Sequence, residues 1–326
     1  MITAPNTIIN RSNGSIESTK FLVKSHSIGS NIFLGVSSEG KYCVFVLSQA
    51  SIEGPVVSTK QVSFKEGGKY TIKYQNGEAN FGTYDSLMCD SNNADEQRIF
   101  KNLLGSYLSD VDLNYLPKVP LKKFFHTIID LFATKQTKDL KNVRIGLWGE
   151  LFFMRTIFGY PTWLNHWHSD IDNTFDFSSG NHRIEIKTTT TEPRIHYFSH
   201  QQLFSANNFN ISIVSISVQE SNQGISLQEL ISECRLQVGS LQNIIKLEKA
   251  IIHAGMMGDN EAGPSFDIFS AKEKLLIFGS SEIPHFMLPE PQGIIQTKYK
   301  INLEYSTPIL DSNVLSYLSI WNESGI

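Results

Sequence analysis

The chain has 326 residues, 40% of them hydrophobic, and a formal net charge of -4. That length supplies apolar side chains for two cores, since domains commonly run to about 100–200 residues, and the negative balance excludes a protein that coats nucleic acid through bulk positive charge. Apolar runs such as 128–133 fall far short of the roughly 20 residues of a membrane span, the first residues carry no basic segment followed by an apolar stretch, and a cytoplasmic location with no membrane partner is expected.

From 19 to 88 short runs alternate apolar and polar residues, at 31–36, 42–47, 61–64 and 70–74, punctuated by Glu39 and Gly40, Gly67 and Gly68, and Asn76 and Gly77. This pattern predicts an antiparallel sheet, with Asn76 and Gly77 as its strongest hairpin turn. Ser91 is the expected cap of a helix over 92–107, and Pro120 opens a second over 121–133. Apolar residues at 143, 147, 151, 154 and 158 mark one buried helical face over 140–158, with Glu150 beside the stripe and Pro161 as the expected stop. Strands are predicted at 163–167, 174–177 and 183–189, the last two joined by a turn at 178–181. A short helix at 199–204 and a β-branched strand at 211–218 follow, giving the order αβββαβ. Helices at 227–236 and 240–253, strands near 266–270, 274–278 and 295–303, and a closing helix at 314–321 complete the reading. The expected domains are 1–110, rich in β-structure, and 111–326.

Phosphodiester hydrolysis with bound magnesium needs carboxylates to hold a hard cation, plus a base or cation to orient the attacking water. On the strand 183–189, side chains alternate between faces. Glu185 and Lys187 therefore point one way, and Ile184 and Ile186 point into the core. Asp176, on the preceding strand, comes alongside Glu185 across the hairpin. A Glu-x-Lys triplet alone arises by chance in a chain of this length. Asp139 and Lys141 fit the looser pattern too but start a helix, where positions two apart do not face each other.

Gly149 and Glu150, the run Phe175, Asp176 and Phe177, and the run from Ile184 to Lys187 together resemble the restriction-endonuclease-like superfamily, and more closely the bacterial PD-(D/E)XK motif proteins that accompany methyltransferases and ATPases in defence-type gene clusters. The resemblance implies an α/β (α+β) fold with a restriction-endonuclease-like αβββαβ core, an N-terminal antiparallel β-rich domain and a C-terminal mixed extension. It implies Asp176 as the metal-bridging carboxylate, Glu185 as a second ligand, the main-chain carbonyl of Ile186 completing the shell, and Lys187 polarising the phosphate or water. Glu150 would be the helix-borne acid that reaches the metal or its water; its plain alternative is a surface carboxylate paired with Arg144 or Arg155. Mg2+ is the implied cofactor, with Mn2+ able to substitute, and DNA the implied partner, with methyltransferase or ATPase subunits and a homodimer as further expectations. Phe175 stands where the motif has proline, a position that does no chemistry.

Arg183, Arg194, His196 and His200 surround the proposed centre and are candidate phosphate contacts, with ordinary surface charge as the alternative. Gln201 and Gln202 begin the following helix, where the superfamily often keeps a polar residue. His166, His168, Asp170 and Asp172 could be drawn as a transition-metal site, against half-buried sheet packing near Trp163 and Trp167. Between residues 118 and 155 eight basic residues (118, 122, 123, 135, 138, 141, 144, 155) face three acidic ones (130, 139, 150), which suits either a polyanion or solvated helix faces. Cys43, Cys89 and Cys234 are too far apart for a Cys-x-x-Cys pair and are read as buried free thiols. No serine-nucleophile elbow, Walker loop or dinucleotide fingerprint occurs. Two functions fit: a magnesium-dependent DNA endonuclease of a restriction or anti-phage system, or a non-catalytic subunit of the same fold that binds DNA or a partner. The N-terminal region would serve docking, dimerisation or partner contact.

Overall fold

Alternating apolar and polar residues build the first compact unit, 1–134, and an αβ sandwich of helices on a mixed sheet builds the second, 135–326. The structure is a computed structural model and describes residues 6–11, 21–24, 27–28, 31–36, 41–73, 79–111, 116–168, 173–204, 209–258 and 262–323. The expected boundary at 110 lies inside the first unit, which extends to Thr134.

In the first unit, strands β1 (Asn6–Arg11), β2 (Phe21–Lys24), β3 (Ser27–Ile28), β4 (Ile32–Val36), β5 (Tyr42–Leu47), β6 (Val56–Ser58), β7 (Val62–Lys73) and β8 (Ala79–Cys89) form one antiparallel sheet in the order β2-β1-β7-β8-β5-β4-β3, with β6 beside β7. Gly67 and Gly68 do not make the expected turn. They form a bulge within β7, where Gly67 has φ 63° and the pairing with β8 shifts between Lys65 and Gly68. The turns expected at Glu39 and Gly40 and at Asn76 and Gly77 lie outside the described residues. Helix α1 (Ala94–Ser109) is capped by Asn93, whose side chain accepts the amides of Asp95 and Glu96, rather than by Ser91; α2 (Leu121–Phe132) starts after Pro120 as expected.

The second unit opens with α3 (Leu140–Thr156) and α4 (Tyr160–Leu164). Pro161 begins α4 instead of ending α3, because proline is at home in a first helical turn. The reversal between them is made by Phe158 and Gly159, with φ of 60° and 83°. The strand expected at 163–167 is thereby displaced by helix, leaving one isolated bridge between Trp167 and Phe177. Next come β9 (Phe177–Ser179), β10 (His182–Thr189), β11 (Ile195–Ser199), a 3-10 turn (His200–Gln202), β12 (Asn210–Ser217), β13 (Glu220–Ser226), α5 (Leu227–Gln237) and α6 (Leu241–His253). They are followed by β14 (Ser265–Phe266), α7 (Ile268–Glu273), β15 (Leu275–Gly279), β16 (Lys298–Asn302) and α8 (Asp311–Glu323). The strand predicted near 266–270 is thus mostly the helix α7, opened by the side chain of Asp267 accepting from Phe269 and Ser270.

The central sheet has the order β15-β12-β10-β9, with β10 and β12 parallel and both outer pairs antiparallel. Both faces are covered, which is why β12 is buried along nearly its whole length. On one face Ile184, Ile186, Val214 and Ile216 pack against Trp148, Leu151 and Phe152 of α3. On the other Ile211 and Ile213 pack with Phe198, Leu203 and Phe278. Each such side chain contributes about 1.5–3 kcal/mol on burial. Helix α3 comes unusually near β10: a Cβ added to Gly149 would sit 1.8 Å from Oγ1 of Thr188. Among the described residues no helix is long and apolar enough to cross a membrane, and the three cysteines are buried and unbridged.

Candidate active site

The alternation of β10 fixes the site. Ile184 and Ile186 enter the core, and Glu185 and Lys187 emerge together on the opposite face, where Lys187 Nζ donates to Glu185 Oε1 at 2.6 Å. Both side chains are withdrawn from solvent, 7% exposed for Glu185 and 21% for Lys187. The hairpin register pairs Ile184 with Phe177, so the residue before β9, Asp176, falls opposite Glu185. Its Oδ2 accepts the amide N–H of Ile186 at 2.6 Å. The close approach at Gly149 brings the next residue, Glu150, to the same cluster, and there its Oε2 accepts the indole N–H of Trp167 at 2.7 Å. A cleft of about 250 Å3 reaches Glu150 and Asp176 past Trp167 and Asn173. Glu150 is therefore not a surface acid paired with Arg144 or Arg155: Arg155 Nε binds Glu233 at 2.7 Å, and Arg144 donates to the carbonyls of Ala254 and Gly255.

A family model described as "Putative PD-(D/E)XK family member, (DUF4420)" matches residues 6–304. The chain belongs to this PD-(D/E)XK family. No curated protein and no solved structure matches it.

Glu150, Asp176, Glu185 and Lys187 share one electrostatic problem. Three carboxyl groups and one ammonium lie in a poorly solvated space. Burial raises Glu150 to about 7, the Trp167 N–H working against this, with Glu185 adding to the rise and Lys187 opposing it. Burial, then repulsion from Glu185 and Glu150, raises Asp176 well above the usual carboxylate range despite the Ile186 amide. Burial also raises Glu185, against the pull of Lys187 and a hydrogen bond from Gln202. For Lys187 burial alone would lower the pKa, but Glu185, Asp176 and Glu150 outweigh it and hold the ammonium charged.

Such an excess of negative charge, presented only by oxygen donors, fits a hard divalent cation. Asp176, Glu185 and the Ile186 carbonyl are the groups that would hold it, with Glu150 adjacent. As the side chains stand, no group of three or more His, Cys, Asp or Glu residues among the described ones is arranged around a common point. Each carboxylate is turned to a protein donor: Trp167, the Ile186 amide or Lys187.

Other expected residues fall elsewhere. Gln201 is exposed, and its neighbour Gln202 is the one that faces Glu185; Oε1 of Gln202 accepts the Ser199 amide at 3.0 Å and Nε2 also donates to the Thr174 carbonyl at 3.0 Å. The Ser199 to Gln202 capping box was the available signal for this residue. Of the candidate phosphate contacts, His196 and His200 are each 4% exposed and are corrected to interior residues. His196 Nε2 pairs with Ser215 Oγ at 2.8 Å, and burial with nearby Lys187 and Arg194 lowers it to about 4, so it is neutral. His200 Nδ1 meets the Tyr299 hydroxyl at 2.6 Å. Arg194 is spent on the carbonyls of Ser215 (3.1 Å) and Lys274 (2.6 Å). Arg183 lies 4.0 Å over the Phe209 ring and donates to the carbonyls of Gly180 and His182.

His166 packs edge-on against Trp321 at 5.5 Å, the half-buried alternative to a metal site; Asp170 and Asp172 lie outside the described residues. The basic stretch from 118 to 155 is divided between the two units. Several of its charges are already matched, Lys118 by Asp110 (2.6 Å), Lys122 by Glu66 (2.9 Å) and Arg155 by Glu233.

Proposed function

We propose that the chain is a nuclease that hydrolyses the phosphodiester backbone of DNA with a bound divalent cation, magnesium or in its place manganese. The observation that carries this reading is the meeting of Asp176, just before β9, Glu185 and Lys187 on β10, and Glu150 on α3 in one poorly solvated cluster. A scaffold would not need three carboxylates whose burial raises their proton affinity, with repulsion adding to the rise at Asp176 and Glu150. When bound, the cation supplies Lewis-acid stabilisation of phosphate charge and a more acidic water. Asp176 and Glu185 hold its place. Lys187, charged and partly accessible, is positioned to offset charge that grows on the phosphoryl oxygens. Glu150 would lie beside the cation, and the Trp167 N–H fixes which of its oxygens remains available.

Plasmid incubated with the purified chain and magnesium or manganese tests the reading. The expected result is nicking or linearisation that is lost in Asp176→Ala and in Lys187→Met, while both variants still bind DNA. Cleavage undiminished in Asp176→Ala would refute it, and no cleavage with DNA binding intact in all three proteins would favour the scaffold.

A further inference from the structure

The strand β11 pairs not with the central sheet but with β16, far later in the chain, in the register Ile195 to Asn302, Tyr197 to Lys300 and Ser199 to Lys298. Facing residues of an antiparallel pair share a side. One side of this ribbon carries Phe198, Ile301 and His196, all buried. The other carries Tyr197, 62% exposed, directly across from exposed Lys300, whose Nζ lies 5.6 Å from the centre of the Tyr197 ring, and diagonal to exposed Lys298. The two lysines stand about 7 Å apart along the strand, as alternate residues do.

The ribbon is tied to the candidate active site. Tyr299 on β16 meets His200 Nδ1 at 2.6 Å, and the His200 amide donates to Thr297 at 2.9 Å, so β16 is anchored to the 3-10 turn that bears Gln202, the partner of Glu185. A cleft of about 450 Å3 runs from Tyr197 and Lys298 to Gln202 and Asn173, and Asn173 also lines the smaller cleft that holds Glu150 and Asp176. Its further wall carries Ile295, 96% exposed, and Glu290, whose carboxylate accepts the Thr297 amide.

We propose that the outer face of the β11–β16 ribbon is a binding track for a single strand of nucleic acid, with a base stacked on Tyr197 and phosphates on Lys298 and Lys300, leading along the cleft to the carboxylate cluster. An exposed ring with two ammonium groups on the adjoining strand is what a sequence-tolerant single-strand platform requires: the ring takes the face of any unpaired base, and the lysines neutralise the backbone that runs beside it. The stacked base must be unpaired on that face, which selects a single strand over intact duplex. The track deepens the nuclease reading by naming the form in which substrate approaches, and it rests on that reading only for its destination.

The test is fluorescence anisotropy with a labelled oligothymidylate of about 15 nucleotides and the full chain in EDTA, so that binding is read without cleavage. Tyr197→Ala is expected to weaken binding by roughly 5- to 150-fold, the range for loss of one base–aromatic stack. Lys298→Gln combined with Lys300→Gln is expected to reduce the slope of log affinity against log salt by about 1.4, two phosphates at about 0.7 each for a single strand. Lys272→Gln, an exposed lysine on α7, is expected to change neither. All these side chains are exposed, so thermal melting of the variants should match the parent. Wild-type failure to bind, ribbon variants that bind like the parent, or tighter binding to duplex unaffected by them would overturn the track. Ribbon-dependent binding by a chain that never cleaves would uphold the track and count against the nuclease reading alone.

Discussion

Replacing Glu150 by Gln should make the second unit more stable at neutral and alkaline pH. Glutamine keeps an oxygen for the Trp167 N–H and removes the charge that burial and Glu185 make costly. A carboxyl raised from its ordinary 4.5 to about 7 binds a proton in the folded chain that the unfolded chain has already released. The stability it confers is complete below about pH 4.5 and is lost as pH climbs through the window up to about 7. The difference, at about 1.36 kcal/mol for each tenfold in proton affinity, amounts to about 3 kcal/mol above that window. For a unit of this size, that corresponds to a rise of roughly 6–12 °C in its melting transition. Calorimetry without divalent ions, at pH 8 and again at pH 4.5, is the measurement. A gain present at pH 8 and absent at pH 4.5 is expected. A variant that melts with the parent at pH 8, or gains equally at both pH values, would refute the view that the Glu150 charge is uncompensated.

The same imbalance predicts that magnesium or manganese raises the melting temperature of the parent at pH 8, and that Asp176→Asn with Glu185→Gln abolishes the rise; this is checked by thermal scans with and without the ion, free of any substrate. Gly149→Ala places a Cβ 1.8 Å from Thr188 Oγ1 and should cost about 1–3 kcal/mol in urea denaturation, much of it recovered when Thr188→Ala is added.

Much of the site could be read directly, because two-residue alternation is a short-range property: Ile184, Glu185, Ile186 and Lys187 declare their faces within four letters, and Asp176 lies one turn away. The family match over 6–304 and the mixed sheet agree with the nuclease-like fold class expected from those letters. What escaped was set partly by local backbone chemistry and partly by contacts distant in sequence. Residues 163–167, aromatic and alternating, resembled a strand, yet Gly159 and Pro161 made a helix of their first part. His196 and Arg194 resembled phosphate ligands because their partners, Ser215 and the carbonyl of Lys274, lie many residues ahead. Of the two candidate glutamines it is Gln202 that faces Glu185, a choice that the Ser199 to Gln202 capping box could have made. Nothing in 195–199 announced that its partner would be 298–302.

That last pairing sets the minimum length at which the second unit can be excised intact. A fragment trimmed to the core near 140–220 would strip β11 of β16 and leave a bare strand edge bearing exposed Ile195 and Tyr197, an invitation to stick to other chains. The family model's reach to residue 304, just past the end of β16, has its physical counterpart here: the carboxylates sit early in the unit, but the second strand of the ribbon anchored to them is written near the finish.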